Sequence, residues 1–270
     1  MSHTASRTTR AHGWIVGAAP RRPAPAIRLL CLPYAGGAAS SYASWQNAFA
    51  DDVEVCPVEL PGRQTRWHER PFTRLEPLVE ALASALAGEL DVPYALFGHS
   101  MGALVAFELA RELRRRGAAG PRVLFASGGA APQLRRERPG IHDQPEDVVI
   151  ARLRSMGGLP EEVIAEPELL ELLVPAIRAD FAVCETYAYR PEPPLTCPIF
   201  AFAGTEDQEV PAERVSPWQE QTSATFLHQV LPGGHFFLRT AQPALLNTVR
   251  TGLTAALARI HRGATPENAL

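Results

Sequence analysis

Tyr94–Leu113 reads YALFGHSMGALVAFELAREL, and this stretch decides the architecture. Tyr94–Phe97, entered from Pro93, is a compact apolar run with strand character. From Met101 to Arg116 nothing breaks a helical pattern before Gly117. The last turns carry Arg111, Arg114, Arg115 and Arg116, the charge that suits a helix C-terminus. Between strand and helix lies Gly98-His99-Ser100-Met101-Gly102, a G-x-S-x-G pattern. Five such residues occur often by chance; the strand before them and the helix after them give the pattern weight. A strand that turns straight into a helix at such a serine is a nucleophile elbow. The turn is sharp, so the residues two before and two after the serine must be small, and both are glycine. The serine hydroxyl then stands above the carboxyl end of the sheet. The Met101 N–H opens the helix, where the dipole favours a developing oxyanion.

Outward from the elbow, strands and helices alternate. Ile27–Leu32, ending at Pro33, reads as a strand, as does Val53–Leu60 before Pro61-Gly62. Val123–Ala126, Pro198–Ala203 and Thr225–Leu231 are further strands. Leu75–Leu90 and about 243–260 have helical periodicity, and Ser41–Phe49 is helix-like. Such alternation predicts an α/β fold, with a mostly parallel central sheet and helices on both faces. The alternation stops between Ala130 and Thr196. There Leu170, Leu173, Val174, Ile177, Phe181 and Cys184 form one apolar helical stripe. Leu169, Leu172, Ala176, Ala179 and Val183 form a second. A helix apolar on two faces is expected to be buried on two sides, as a lid inserted over the sheet would be. The expected organisation is a flexible lead-in over 1–24, one domain over 25–262 with the lid at about 130–196, and a flexible tail over 263–270.

A serine hydroxyl needs a base. Of the eight histidines, His3, His12 and His261 lie near the chain ends, His68 in a polar loop and His142 in the lid stretch. His99 points off the other side of the elbow, and His228 sits inside a strand. His235 follows Leu-Pro-Gly-Gly on a loop at the sheet's carboxyl end, in the chain order serine, acid, histidine. The acid that orients it should stand at a strand end between the two. Asp207, three residues past Gly204, is favoured over its neighbour Glu206 and over Asp143, Asp147 and Asp180 of the lid stretch. A second oxyanion donor is expected from Leu32-Pro33-Tyr34-Ala35-Gly36-Gly37, with the Ala35 N–H the candidate beside Met101.

Composition narrows the chemistry. The chain has 270 residues, a formal net charge of −3 and 46% hydrophobic residues. Near-balanced charge argues against a nucleic-acid binder. All 26 basic residues are arginine. With no lysine there is no P-loop of the G-x-x-x-x-G-K-[ST] type, no lysine Schiff base and no Ser-x-x-Lys nucleophile. Cys31, Cys56, Cys184 and Cys197 make no C-x-x-C pair and read as reduced, buried residues, with no disulfide or metal framework. The short apolar run Trp14–Ala19 is followed at once by Pro20-Arg21-Arg22, which is no secretory signal. No apolar run approaches the ~18 residues of a membrane span. A cytoplasmic protein is expected.

Seven segments together resemble the stand-alone type II thioesterases that serve polyketide synthases and nonribosomal peptide synthetases, within the α/β-hydrolase superfamily. They are Arg28–Tyr42 (RLLCLPYAGGAASSY), Val58–Glu69 (VELPGRQTRWHE), Ala95–Leu113, Leu134–Asp143 (LRRERPGIHD), Leu169–Tyr187 (LLELLVPAIRADFAVCETY), Phe202–Val210 (FAGTEDQEV) and Leu231–Leu238 (LPGGHFFL). The resemblance spans about Trp14 to Arg259. It implies an α/β-hydrolase fold, a triad of Ser100, Asp207 and His235, and oxyanion donors at Ala35 and Met101. It implies an editing hydrolase that clears acyl groups from the phosphopantetheine arm of acyl or peptidyl carrier proteins, with no metal or cofactor. The oligomeric state is left open, with a monomer favoured. Two positions depart from commoner forms: Tyr34 stands where histidine is frequent, and Glu59 where glutamine is. Because carrier proteins are acidic near the pantetheine, a basic rim is expected, with Arg63, Arg66, Arg135 and Arg136 as docking candidates. Two other readings stay open: an esterase or lipase on free esters, and a non-catalytic binding protein on the same scaffold.

Overall fold

The computed structural model describes residues 8–10, 13–17, 24–134, 139–158 and 166–263. Two short strands, β1 (Thr8–Arg10) and β2 (Ile15–Gly17), pair antiparallel. The main sheet holds β3 (Ile27–Leu32), β4 (Val53–Pro57), β5 (Tyr94–His99), β6 (Leu124–Ser127), β7 (Ile199–Gly204) and β8 (Phe226–Leu231). Their spatial order is β4-β3-β5-β6-β7-β8, and every neighbouring pair is parallel.

Parallel strands joined by crossovers are covered on both faces, so they read as continuous apolar runs rather than alternating ones. β3 comes close to this: all six residues of IRLLCL are buried, and its one charged side chain, Arg28, is paired with Glu54 and Asp91. Leu30 and Leu32 join the core layer beneath α1 (Leu75–Leu86) and α2 (Met101–Arg115). Ile27, Leu29 and Cys31 join the opposite layer. That layer is closed by Leu245, Val249 and Leu253 of the C-terminal helix, Gln242–Gly263. Trp45 anchors it, with its ring edge-on to Tyr42 and Phe97 at 4.9 and 4.7 Å.

The stretch expected to be a lead-in is in part a structural element. Trp14, Ile15 and Val16 are buried. Ile15 bridges Val58, Trp14 C=O accepts the Glu59 N–H at 2.8 Å, and the Arg66 guanidinium lies 4.1 Å over the Trp14 ring. This short run is too brief to show a period, yet it covers the outer side of edge strand β4, which would otherwise be exposed. Ser41–Phe49 resolves into two 3-10 turns, Ala39–Tyr42 and Trp45–Ala48.

Over the carboxyl end of the sheet lie α3 (Glu146–Met156) and α4 (Pro167–Glu185). The first stripe of α4 packs inward, with Leu170, Val174 and Ile177 buried. The second stripe is split. Ala176, Ala179 and Val183 are buried, but Leu169 and Leu172 are 39% and 66% exposed. Burial on two sides therefore holds only for the C-terminal half, where α4 passes over the sheet and reaches α2. Among the described residues, no helix is long and apolar enough to cross a membrane.

Candidate active site

The elbow is strained where the sequence requires it. Ser100 adopts φ 54°, ψ −116°, one of two non-glycine residues at positive φ among those described. A Cβ on Gly98 would lie 1.9 Å from Gly102 C=O oxygen, and one on Gly102 would lie 2.2 Å from that of Leu32. Both distances are shorter than any real contact, so glycine is needed at each. The strain costs about 1–3 kcal/mol, supplied by the buried strand and helix on either side. A hydrogen bond from Ser100 N–H to Ser127 C=O at 2.7 Å pins the turn to the neighbouring strand.

Two other strand ends bring up the partners. Asp207 follows β7 and His235 follows β8. These loops approach so closely that a Cβ on Gly204 would sit 2.5 Å from Gly233 C=O oxygen. Ser100 Oγ lies 2.9 Å from His235 Nε2, and His235 Nδ1 lies 2.8 Å from Asp207 Oδ2. The other carboxylate oxygen of Asp207 accepts the N–H groups of Glu209 and Val210 at 2.8 and 3.0 Å. One oxygen thus holds the loop and the other holds the imidazole. Asp207 and His235 are 5% and 6% exposed, so their contact works with little competition from water.

Ser100 and His235 line a cavity of about 690 Å³. Tyr34 and Ala35 form part of its wall, and the stretch expected to be the lid supplies Leu153 of α3 and Phe181 of α4. The Met101 N–H belongs to the first residue of α2, one of the amides a helix leaves without an intrahelical acceptor. Such an arrangement can transfer an acyl group: a hydroxyl beside an imidazole, a carboxylate behind it, and backbone donors nearby.

The thioesterase domain family matches residues 27–253. The chain belongs to that family. It is 40% identical over 245 residues to the gramicidin S biosynthesis protein GrsT of Aneurinibacillus migulanus, covering 91% of this chain and 95% of that protein. Among solved structures it superposes on RedJ, a thioesterase from the prodiginine pathway of Streptomyces coelicolor, with TM-score 0.82 and 42% identity over 87% of this chain and 95% of RedJ. It also superposes on BorB, a type II thioesterase from the borrelidin biosynthetic cluster, with TM-score 0.83 and 36% identity over 91% of this chain and 99% of BorB. The chain is thus a thioesterase with the α/β-hydrolase fold, the fold class expected from its sequence.

In this thioesterase His99 lies beneath the site, fully buried, with Nδ1 3.0 Å from Ser127 Oγ and its ring 5.4 Å from that of His235. Burial foremost, then the charge of His235, pushes its pKa well below the usual histidine value, so it stays neutral. Tyr34 stacks edge-on to His99 and Phe236 at 5.9 and 5.0 Å, and its hydroxyl accepts a hydrogen bond from Arg239 at 2.8 Å. A tyrosine here is therefore a packing piece under the histidine loop. Glu59 is fully buried and its Oε2 accepts the Ala39 N–H at 3.3 Å.

Two docking candidates fail on burial. Arg63 is 7% exposed and pairs with Asp180 of α4; Arg66 is 8% exposed and pairs with Glu69 and the Glu59 carbonyl. Both guanidinium groups are spent inside the protein, so neither can steer a partner. Arg135 and Arg136 lie outside the described residues. Cys184, expected to be buried, is half-buried and lines the cavity. Sequence reasoning gave Asp180 no role beyond that of a rejected acid. The signal was there: a carboxylate sits at a buried position between apolar neighbours, and buried charges are paired. Among the described residues, no group of three or more His, Cys, Asp or Glu side chains is placed to hold a metal.

Proposed function

We propose that this thioesterase is an editing enzyme that hydrolyses acyl groups from the phosphopantetheine arm of carrier proteins in nonribosomal peptide or polyketide assembly. Ser100 is the nucleophile, His235 the base, Asp207 the orienting acid, and the N–H groups of Ala35 and Met101 the oxyanion donors. The observation that carries the reading is the chain of contacts Ser100–His235–Asp207, at 2.9 and 2.8 Å, opening onto a lid-covered cavity of about 690 Å³. The relatives support it, since GrsT, RedJ and BorB are named for roles in biosynthetic pathways of this kind.

The chemistry then runs in two halves. His235 Nε2 takes the Ser100 proton as Oγ attacks the thioester carbonyl carbon. The carbonyl oxygen becomes an oxyanion that accepts the two N–H donors. Asp207 holds Nδ1–H and stabilises the imidazolium. The C–S bond breaks, and His235 returns its proton to the departing pantetheine thiolate. Water, deprotonated by the same nitrogen, attacks the acyl-serine ester and releases the acid and Ser100. The cavity is large enough for an acyl chain with part of the pantetheine. The reaction takes place in the cytoplasm, with an acidic carrier docking at the lid stretch. Arg135 and Arg136 are the basic candidates there, and their charge reversal should lower kcat/KM for acyl-carrier at low salt.

The test is to incubate purified enzyme with an acylated carrier and follow free acid by mass spectrometry. The expected result is release that Ser100→Ala abolishes. Equal release by Ser100→Ala overturns the roles assigned here. A strong preference for simple alkyl or aryl esters over carrier thioesters overturns the substrate.

A further inference from the structure

The loop that carries Ala35 is held by a residue of the lid. Tyr34–Gly37 is a β-turn, closed by a hydrogen bond from Gly37 N–H to Tyr34 C=O at 2.8 Å. Gly36, at its third position, has φ +75°, while Ala35 is not among the residues of positive φ. That combination defines a type II turn. Type I and type II turns differ by reversal of the central peptide, here Ala35–Gly36. On reversal the Gly36 N–H and the Ala35 C=O exchange sides.

Asp180 settles which form is held. Its Oδ2 accepts the Gly36 N–H at 2.8 Å, across 144 residues of sequence. Both of its oxygens are gripped by Arg63, with Nη1–Oδ2 and Nη2–Oδ1 each 2.7 Å. Arg63 Nη1 also donates to the Gly37 C=O at 2.9 Å. One bidentate ion pair therefore holds two successive residues of the turn from opposite polarities. A planar guanidinium presents two parallel N–H donors to the carboxylate oxygens while a further N–H reaches a carbonyl, a fork that an ammonium does not offer. The pair is buried, at 7% and 3% exposure, so its geometry is not loosened by water. Ile177, one turn earlier on α4, closes the same contact: a Cβ on Gly36 would lie 3.1 Å from its Cγ1.

We propose that Asp180 is a positioning residue for acyl transfer, a lid carboxylate that, with Arg63, anchors the Gly36 N–H and the Gly37 C=O and so fixes the Tyr34–Gly37 loop from which the Ala35 N–H is presented to the oxyanion. The proposal rests on the reading of Ala35 as an oxyanion donor. Its consequence is that the oxyanion site is complete only while α4 is seated. Lid seating and oxyanion stabilisation are then one event, and a substrate that holds the lid in place also completes the site.

The experiment compares the full-length parent with Asp180→Asn and Arg63→Lys. Active sites are counted by stoichiometric labelling of Ser100 with a fluorophosphonate, so kcat refers to folded, competent molecules. Affinity is then measured for a trifluoromethyl ketone analogue, whose adduct presents the oxyanion. Loss of one oxyanion donor costs about 10²–10³ in kcat, and Asp180→Asn keeps one acceptor, so a fall of about 30-fold or more per site is expected. KM should stay within about threefold, and the analogue should weaken in proportion to kcat. Arg63→Lys, which keeps the charge but not the fork, should lose about tenfold in the same pattern. Should Asp180→Asn not fold, Arg63→Lys carries the test. A kcat per site within about threefold of the parent in the folded variants reduces the pair to a structural role and overturns the proposal. So does a fall in kcat with analogue affinity unchanged. Ser100→Ala separates the two levels: if it is inactive while Asp180→Asn is fully active, only the positioning role fails; if it is active, the triad reading itself fails.

Discussion

Gly102→Ala tests whether the close approach of helix and loop spaces the oxyanion donors. The added methyl would lie 2.2 Å from Leu32 C=O oxygen and 2.8 Å from that of Pro33. These are backbone atoms, so no side chain can swing aside. The gap has to open from 2.2 Å to beyond 3.0 Å, roughly 0.8 Å of separation. Met101 lies on one side of that gap, and on the other the chain runs two residues on to Ala35. A donor–acceptor distance near 2.9 Å stretched by that amount is no longer a hydrogen bond. The expected loss is one donor, about 10²–10³ in kcat or roughly 2.7–4 kcal/mol of transition-state stabilisation. Stability should move much less. Alanine gains about 1 kcal/mol over glycine in a helix, against about 1–3 kcal/mol for overpacking. The assay is steady-state hydrolysis of an acyl-N-acetylcysteamine thioester, with thermal melting as the check on folding. Tm should fall by no more than about 8 °C, at ~2–4 °C per kcal/mol for a domain of this size. A folded variant with kcat within threefold of the parent would refute the reasoning, since the donors would then tolerate the separation.

Asp207→Asn should lower kcat by about 10⁴ with little change in KM, because an amide N–H opposite Nδ1 favours the wrong tautomer of His235; steady-state kinetics decide it. Trp45→Ala should cost about 3–5 kcal/mol in urea unfolding, since its fully buried ring holds Tyr42 and Phe97 together. Glu192 makes ion pairs with Arg111, Arg114 and Arg115 at 2.9, 2.8 and 2.7 Å. Burial alone would raise its carboxyl, but the hydrogen bonds from Arg111 and Arg114 outweigh it and bring the pKa down to about 2. A pKa lowered on folding gives stability that is complete above the unfolded value of about 4.5 and is lost as pH falls toward 2. Unfolding free energy should therefore decline over that window, and Glu192→Gln should flatten the decline; equal slopes would show that the network contributes nothing there.

The sequence made legible what depends on short-range pattern. The elbow could be read because its two glycines answer a local steric demand, and the structure puts backbone oxygens 1.9 and 2.2 Å from where their side chains would begin. Strands β3 and β5 could be read because burial on both faces leaves each of them mostly apolar, with Arg28 the one charged residue of β3 and His99 at the end of β5. His235 and Asp207 could be read because a parallel sheet delivers loop residues to its carboxyl edge in a fixed chain order. What stayed hidden depends on long-range pairing. Ile15 and Val16 fit any short apolar segment until β4 is seen to need an edge cover. Leu169 and Leu172 continue a stripe whose packing surface ends before they do, and periodicity carries no information on where a neighbour stops. Periodicity reports which face is apolar, and only tertiary contact decides whether that face is covered.

Arg63 shows the same limit in charge. In the sequence, Arg63 and Arg66 stand in a polar loop and have the look of a basic rim. Their partners lie on different parts of the chain, 117 residues away for Asp180 and three for Glu69, and the distant one determines the role. A charge is a docking group only if its field reaches solvent, and a guanidinium bound bidentately at 2.7 Å in a buried pocket has no such field. Removing one partner of such a pair leaves an unpaired buried charge, which typically costs ~3–5 kcal/mol. An isolated Arg63→Ala effect on activity would therefore mix lost folding with lost positioning. Arg63→Lys retains the charge, so the kcat it loses per competent site reports the geometry of the turn. Arginine rather than lysine matters at this position because its contact with the lid and the Tyr34–Gly37 turn uses two parallel N–H donors to Asp180 and a third to Gly37.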